Sequence, residues 1–146
     1  MKKKLVVDAS VALKWVIDEH GTGEALALLE RAALSAPDFL LAECANALWK
    51  KVRRSEFTRE EALVAARILQ ISEVELFSTR PLLEAATRIA IELNHPAYDC
   101  TYVALALANG ISFVTADERF LRMVRRNERA GFSRSVISLS DAVAGL

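Results

Sequence analysis

The segment KLVVDASVALKW, residues 4–15, begins with a short apolar run that ends at a carboxylate, Asp8. A second segment, ISFVTADERF at residues 111–120, repeats the arrangement, with Asp117 closing its apolar run. Each run has the length and composition of a strand buried on both faces, and a helical pattern follows each one. A helix N-cap explains either aspartate alone. The question is whether the two belong to one site.

The composition indicates a folded, globular domain. The chain has 146 residues, of which 53% are hydrophobic and 26% are charged, enough for a core and unlike a disordered chain. We therefore expect a single domain over residues 1–146. Lys+Arg and Asp+Glu each number 19, so net charge gives no attraction to nucleic acid, and any such contact must come from local basic patches.

Cysteine usage and hydropathy predict a cytoplasmic protein that makes no use of a membrane. Cys44 and Cys100 fit neither a zinc pattern nor a disulfide framework, and we expect both to be small core residues. The basic start MKKK is followed by only the apolar run 5–7 before Asp8, which is too short for a signal peptide. No apolar run approaches the roughly 20 residues of a membrane-spanning helix.

The order of the elements predicts a parallel sheet. Strands are expected at four segments, with a further short strand or turn near Pro37: 4–8, 74–79, 111–116 and 134–139. Helical patterns cover the segments between and after them: 9–18, 22–33, 39–55, 58–70, 80–94, 95–110, 117–130 and 140–146. Strands separated by helices need crossover connections, which produce a parallel sheet with helices on both faces. Ligands of such sheets bind beyond the carboxyl ends of the strands, where Asp8 and Asp117 lie.

Two further acids occur in apolar surroundings, Glu43 in FLLAECANALW and Asp99 in AYDCTYVALALA. A buried, ionised carboxylate costs several kcal/mol unless something compensates it. No Lys or Arg lies three or four residues from Asp99. A divalent cation would compensate all four acids, and oxygen ligands suit Mg²⁺ or Mn²⁺. The predicted catalytic and metal-binding residues are therefore Asp8, Glu43, Asp99 and Asp117, in a site for phosphate chemistry.

Polar and basic side chains accompany these acids. Asn46 lies three residues after Glu43 on the same helix face, and Ser10 and Thr115 flank the strand-end aspartates, where they are expected to orient water or a carboxylate. Eight basic residues are candidate phosphate contacts, although such runs are more often solvated helix ends: Lys50, Lys51, Arg53, Arg54, Arg122, Arg125, Arg126 and Arg129.

The two histidines are interpreted as loop residues. His20 precedes Gly21 and His95 precedes Pro96, so each stands at a predicted turn. We expect neither histidine to take part in catalysis.

Four segments, taken together, resemble the PIN-domain ribonucleases, and more narrowly the small toxins of VapBC-type toxin–antitoxin modules: VVDASVALKW, APDFLLAECANALWK, AYDCTYVALA and FVTADERF. The resemblance covers nearly the whole chain and depends on four acids in this order. It implies a three-layer α/β sandwich with a central parallel five-stranded sheet flanked by helices. The residues that match the family's acids are Asp8, Glu43, Asp99 and Asp117, with Thr115 and Asn46 at its usual polar positions.

The resemblance also implies an activity and partners. The activity is a Mg²⁺- or Mn²⁺-dependent endoribonuclease that cuts structured RNA, such as tRNA or rRNA. A metal-activated water attacks phosphorus in line and leaves 5′-phosphate and 3′-hydroxyl ends. Family toxins are usually homodimers, and a cognate VapB-like antitoxin inhibits them by inserting a segment into the active-site groove, at times in a higher-order complex.

Other interpretations fit less well or stay open. Haloacid-dehalogenase-type phosphatases need a second Asp where this sequence has Ser10, and receiver domains need a Lys where it has Asp117. A PIN nuclease of RNA processing that has no antitoxin stays open. So does a non-catalytic PIN module that binds RNA or protein, which a requirement for metal would distinguish from a nuclease.

Overall fold

The computed structural model describes residues 1–128 and 131–146. Its centre is a sheet of five strands: β1 (Lys3–Val7), β2 (Ala32–Pro37), β3 (Val74–Phe77), β4 (Ser112–Thr115) and β5 (Val136–Ser138). All neighbouring strands pair in parallel, in the order β3-β2-β1-β4-β5. The expected α/β fold with a central parallel five-stranded sheet is confirmed.

Helices flank this sheet. The described residues include eight α-helices: α1 (Ala9–Ala12), α2 (Thr22–Arg31), α3 (Leu40–Arg53), α4 (Arg59–Gln70), α5 (Leu83–Leu93), α6 (Ala97–Asn109), α7 (Glu118–Arg126) and α8 (Leu139–Ala144). Short 3₁₀ turns follow α1 at Leu13–Trp15 and precede α5 at Arg80–Leu82. No helix in the described ranges has the length and apolar character needed to cross a bilayer.

The strand order creates a switch point between β1 and β4. From β1 the chain adds β2 and then β3 on one side of the sheet, and it later adds β4 and β5 on the other side. The connections that leave β1 and β4 therefore diverge, which opens a crevice at the carboxyl ends of these two strands. Asp8 directly follows β1, and Asp117 follows β4 by two residues, so both aspartates lie at this crevice.

The core explains why these strands are central. Leu5, Val6 and Val7 of β1 are fully buried, as are Phe113 and Val114 of β4. Burying such a side chain contributes about 1.5–3 kcal/mol. Because both faces of each strand are covered, the first charged side chain after each apolar run lies where the strand leaves the core.

Helix α6 packs against β1, β2 and β4 and is buried along most of its length. The Tyr102 ring of α6 stacks on Phe113 at 5.3 Å between centroids, and Phe113 in turn packs against Phe120 of α7 at 6.1 Å. Because of this packing, the first turn of α6, which carries Asp99, projects from the core at the carboxyl edge of the sheet.

Several predicted boundaries differ from the structure. The helix expected over 9–18 is α-helical only to Ala12 and then tightens into a 3₁₀ turn, in which Trp15 Nε1 donates to the carbonyl of Ala25 at 2.9 Å. The alanine-rich start of β2 suggested helix to residue 33, but Ala32 already pairs with Lys3 of β1, so sheet pairing overrides local propensity. Helix α7 ends at Arg126 rather than at residue 130, and residues 129–130 lie outside the described ranges.

Candidate active site

Asp8 is held at both oxygens by hydroxyl groups, one from α1 and one from the end of β4. Ser10 Oγ donates to Oδ1 and Thr115 Oγ1 donates to Oδ2, each at 2.5 Å. The backbone N–H of Val11 also donates to Oδ1, at 3.2 Å, so Asp8 caps α1 as well. Only 6% of Asp8 is exposed. The carboxylate is therefore fixed in one orientation with little contact to bulk water.

The same two hydroxyls tie the β1 and β4 ends together. Thr115 is fully buried, and its Oγ1 accepts the backbone N–H of Asp117 at 3.1 Å. Ser10 Oγ accepts the N–H of Ala116 at 2.9 Å and lies 3.3 Å from Thr115 Oγ1. One hydrogen-bond network thus runs from Asp8 to the backbone of Asp117, and the two repeated segments meet in one place.

Asp117 caps a helix at the rim of this network. Its Oδ1 accepts the N–H of Phe120 at 3.1 Å, which makes Asp117 the N-cap of α7. The residue itself is exposed. Asp8 and Asp117 are thus both helix N-caps, and both lie at the same crevice. The capping role of each aspartate is therefore compatible with a shared site.

Glu43 is oriented by a tyrosine that the sequence analysis did not identify. It lies in the first turn of α3, and Tyr102 Oη donates to its Oε1 at 2.5 Å. Burial raises the pKa of Glu43, and the negative charge of Asp99 raises it further. Burial, followed by this hydrogen bond, also raises the pKa of the Tyr102 hydroxyl, which keeps it a donor at any physiological pH.

Asp99 is paired with a histidine, which corrects one expectation. We expected Asp99 to be buried without a local partner. His95 does lie in a loop, as expected, in the turn between α5 and α6. The Nε2 atom of His95 lies 2.7 Å from Asp99 Oδ2, and 33% of the Asp99 side chain is exposed. His95 lies four residues before Asp99, in the turn that leads into α6.

Burial dominates the electrostatics of Asp8. Loss of solvent raises the pKa of Asp8 from 3.8 to about 6, and the charge of Asp99 adds to the rise. The hydrogen bonds from Ser10, Thr115 and Val11 act in the opposite direction, because they favour the ionised form. Ionisation of this carboxyl group is thus unfavourable in the metal-free protein, as expected of a cation site.

The pH dependence of stability follows from this shift. The folded protein binds a proton at Asp8 more tightly than the unfolded chain does, with a pKa of about 6 against 3.8. The resulting stabilisation, about 3 kcal/mol, is complete below the unfolded pKa and is lost as pH rises through about 6. We expect urea denaturation in EDTA to show stability falling from about pH 4 to pH 6, the window between the two pKa values. The fall should be much smaller in Asp8→Asn, and an equal fall would contradict the assignment.

The Tyr102→Phe substitution tests the Glu43 contact. The change keeps the ring that stacks on Phe113 but removes the hydroxyl that orients Glu43. A hydrogen bond to a charged group contributes about 1.5–3 kcal/mol, so we expect stability to fall by roughly that amount. Thermal or urea unfolding measures it, and a matched control is Tyr98→Phe, since Tyr98 is largely exposed. Equal stabilities for the two variants would contradict the contact.

The other predicted polar residues lie outside the hydrogen-bond network. Asn46 is exposed on α3. Lys51 pairs with Glu56 at 2.9 Å and Arg122 with Glu118 at 3.8 Å, while Arg53 lies over the Trp49 ring. Arg129 lies outside the described residues. The remaining candidates for phosphate contacts are exposed on α3, just after it, or on α7: Lys50, Arg54, Arg125 and Arg126.

The cysteines take no part in this chemistry. Cys44 and Cys100 are buried free thiols, as expected of small core residues. Burial raises the pKa of the Cys44 thiol to about 12 and that of Cys100 to about 11, with nearby carboxylates adding to both. Neither thiol therefore supplies a thiolate nucleophile at neutral pH.

The donor set fits a hard divalent cation. As they stand, no three Asp, Glu, His or Cys side chains within 1–128 and 131–146 are close enough to enclose an ion. Mg²⁺ does not need such a cage, because it is usually bound by one or two carboxylates and several waters. Asp99 is near enough to raise the pKa values of both Asp8 and Glu43. A cation among these three would relieve that repulsion.

Comparison with known proteins agrees with this fold. Residues 5–126 match the PIN domain family. The chain is also 32% identical over 119 residues to Ribonuclease VapC3 of Pyrobaculum aerophilum, an alignment that covers 80% of this chain and 91% of that protein. The chain therefore belongs to the PIN-domain family and, within it, to the VapC ribonucleases.

Solved structures show the same architecture. The crystal structure of PAE2754 from Pyrobaculum aerophilum superposes with a TM-score of 0.72 at 21% identity and covers 97% of this chain and 88% of its own. VapBC2 from Rickettsia felis, solved bound to a promoter DNA fragment, gives a TM-score of 0.56 at 15% identity. That superposition covers 82% of this chain and 92% of the Rickettsia felis chain. At these identities the likeness concerns the fold alone.

Proposed function

We propose that this chain is a metal-dependent endoribonuclease and the toxin of a toxin–antitoxin module. One observation carries the proposal: Asp8, desolvated and charged only at a cost, is held between Ser10 and Thr115 at the switch point of the sheet. Glu43 and Asp99 lie close enough to interact with each other electrostatically. Such a concentration of negative charge repels the phosphates of RNA, so the site can act on RNA only with a cation between them.

Each acid has a role that its surroundings support. Asp8, Glu43 and Asp99 would hold the ion, and the exposed Asp117 at the rim would hold it or orient the attacking water. Ser10 and Thr115 keep the Asp8 carboxylate in place. A divalent ion bound here lowers the pKa of water and stabilises the charge that develops on the phosphate. We assign Mg²⁺ or Mn²⁺ to the site because all four side chains offer oxygen ligands.

The partners follow from family membership. The substrate is RNA, and we propose a structured RNA such as tRNA or rRNA. We further propose a cognate VapB-like antitoxin, a homodimeric toxin, and a cytoplasmic location. The exposed basic residues of α3 and α7 are the groups available for phosphate contacts.

Cleavage of purified tRNA and rRNA tests the enzymatic proposal. We expect cleavage with Mn²⁺ or Mg²⁺, none in EDTA, and products with 5′-phosphate ends. Cleavage that persists in EDTA would contradict the metal-dependent mechanism. RNA that is bound but never cut, with or without metal, would favour a non-catalytic module.

Growth of a bacterial host tests the toxin proposal separately. Expression of the wild-type chain alone should stop growth, whereas Asp8→Asn should not. Normal growth with a demonstrably active nuclease would favour a housekeeping role in RNA processing.

A further inference from the structure

His95 contacts one of the proposed site acids and an aromatic ring of α7. Its Nε2 atom lies 2.7 Å from Asp99 Oδ2, and its ring packs against Phe120 with 5.1 Å between centroids. Only 24% of the His95 side chain is exposed. The ring is thus held on one side by a hydrogen bond and on the other by an aromatic contact.

The backbone around His95 is fixed as well. Asn94 ends α5 in a left-handed conformation, with a φ of 49°, and the N–H of His95 donates to the carbonyl of Ala90 at 3.1 Å. Pro96, the N-cap of α6, follows at once. The imidazole therefore starts from a rigid turn between two packed helices, which limits the positions it can take.

Each proposed acid has its own hydrogen-bond donor. Asp8 receives hydroxyls from Ser10 and Thr115. Glu43 receives the Tyr102 hydroxyl and Asp117 the backbone N–H of Phe120: both contacts come from residues packed in the core. For the Asp99 side chain the donor among the described residues is His95, and it reaches Oδ2. Asp99 is one-third exposed, so without His95 its carboxylate would be free to rotate toward solvent.

The contact with Phe120 links Asp99 to the fourth acid. Phe120 is buried in α7, and its backbone N–H is the group that Asp117 caps. The His95 ring packs on Phe120 of α7 and forms a hydrogen bond with Asp99 of α6. His95 therefore sets the position of Asp99 relative to α7, the helix that Asp117 caps.

We propose that His95 is a positioning residue, which donates its Nε2–H to Asp99 Oδ2 and thereby holds this carboxylate ready for the cation. The inference rests on the proposed function, since it concerns the ion that the site would hold. Partners that orient a metal-binding carboxylate commonly contribute about 10- to 100-fold to metal affinity or activity. His95 is therefore expected to act on the affinity for metal without touching the RNA.

The measurement is the affinity for Mn²⁺ alone, without RNA, followed by electron paramagnetic resonance of the free ion. His95→Phe keeps an aromatic ring against Phe120 but removes the donor, and we expect it to bind Mn²⁺ about 10- to 100-fold more weakly. His95→Gln retains an N–H of similar reach and should recover most of the affinity. His20→Ala is the matched control, because His20 is exposed in a turn, and it should bind as the wild type does.

Cleavage kinetics and folding complete the test. At subsaturating Mn²⁺ His95→Phe should lower kcat for RNA and leave KM unchanged. Circular dichroism and thermal unfolding in EDTA should show His95→Gln and His95→Phe folded. If His95→Phe does not fold, the comparison is made between His95→Gln and His95→Asn. The shorter side chain of His95→Asn does not reach Asp99, so we expect it to bind Mn²⁺ more weakly than His95→Gln.

The outcomes separate this inference from the proposed function. Wild-type Mn²⁺ affinity in His95→Phe, with the affinity lost in Asp8→Asn, would overturn the role of His95 and leave the nuclease site intact. If the wild-type protein bound no Mn²⁺, or Asp8→Asn bound it normally, the proposed site and the inference would both fail. If His95→Gln bound Mn²⁺ as weakly as His95→Phe does, His95 would itself be a ligand of the ion, which also contradicts the positioning role.

Discussion

The Asp8→Asn substitution is expected to lower the rate of RNA cleavage by at least about a thousand-fold, equivalent to roughly 4 kcal/mol of transition-state stabilisation. Asn has nearly the shape of Asp and can still accept from Thr115 or Ser10, but it has no charge for a divalent cation. Asp8 is the most buried of the four acids and lies at the centre of the hydroxyl network. Its charge is therefore the one that the site can least replace.

The same substitution should stabilise the metal-free protein. At neutral pH wild-type Asp8 is ionised at a cost, since burial raises its pKa to about 6. Asn removes that cost, so we expect a gain of about 1–3 kcal/mol in urea denaturation at pH 8 in EDTA. Activity lost together with stability gained is a combination that simple misfolding cannot produce. The matched control is Asp18→Asn, an exposed aspartate, which should change neither quantity, and an Asp8→Asn protein that still cleaves RNA would refute the site.

The Thr115→Val substitution should have the next largest effect. Val has the shape of Thr, but it can neither donate to Asp8 Oδ2 nor accept the N–H of Asp117. The side chain is fully buried, so water cannot take over these roles. We expect kcat to fall by about 10- to 100-fold, as for loss of a partner that orients a metal ligand. Stability should fall by about 1–3 kcal/mol, since buried groups are left without partners.

Thr115→Ser provides the control for this prediction. Ser keeps the hydroxyl and loses one methyl group, so its kcat should stay within about threefold of the wild type while stability drops by about 1 kcal/mol. Single-turnover cleavage and urea denaturation give the two quantities for both variants. If Val and Ser behaved alike in cleavage, the Thr115 hydroxyl would have no part in orienting Asp8.

The sequence allowed the architecture to be predicted because its strongest signals are local. The Leu5–Val7 and Phe113–Val114 runs are fully buried strands, and the helices between them require parallel crossovers. Thr58 and Glu61 form the capping box that their spacing indicates. Boundaries failed where tertiary pairing decided the outcome, as at Ala32, whose partner Lys3 is distant in sequence.

The surroundings of the acids were harder to predict. Tyr102 and Glu43 are separated by 59 positions, and nothing local to either residue indicates that their side chains meet. The His95–Asp99 pair is different, because its spacing of four is visible in the sequence. It was missed because only Lys and Arg were considered as partners of Asp99. His95 does lie in the predicted turn before α6, and its side chain reaches Asp99 from there.

The most direct test of the central account is the position of a bound ion. Diffraction from Mn²⁺-soaked crystals, measured near the manganese absorption edge, would locate the ion by its anomalous signal. We predict a peak about 2.0–2.6 Å from a carboxylate oxygen of Asp8, with Asp99 or Glu43 facing it. A peak at another place on the molecule, in protein that cleaves RNA with Mn²⁺, would show that these strand-end acids are not the catalytic metal site.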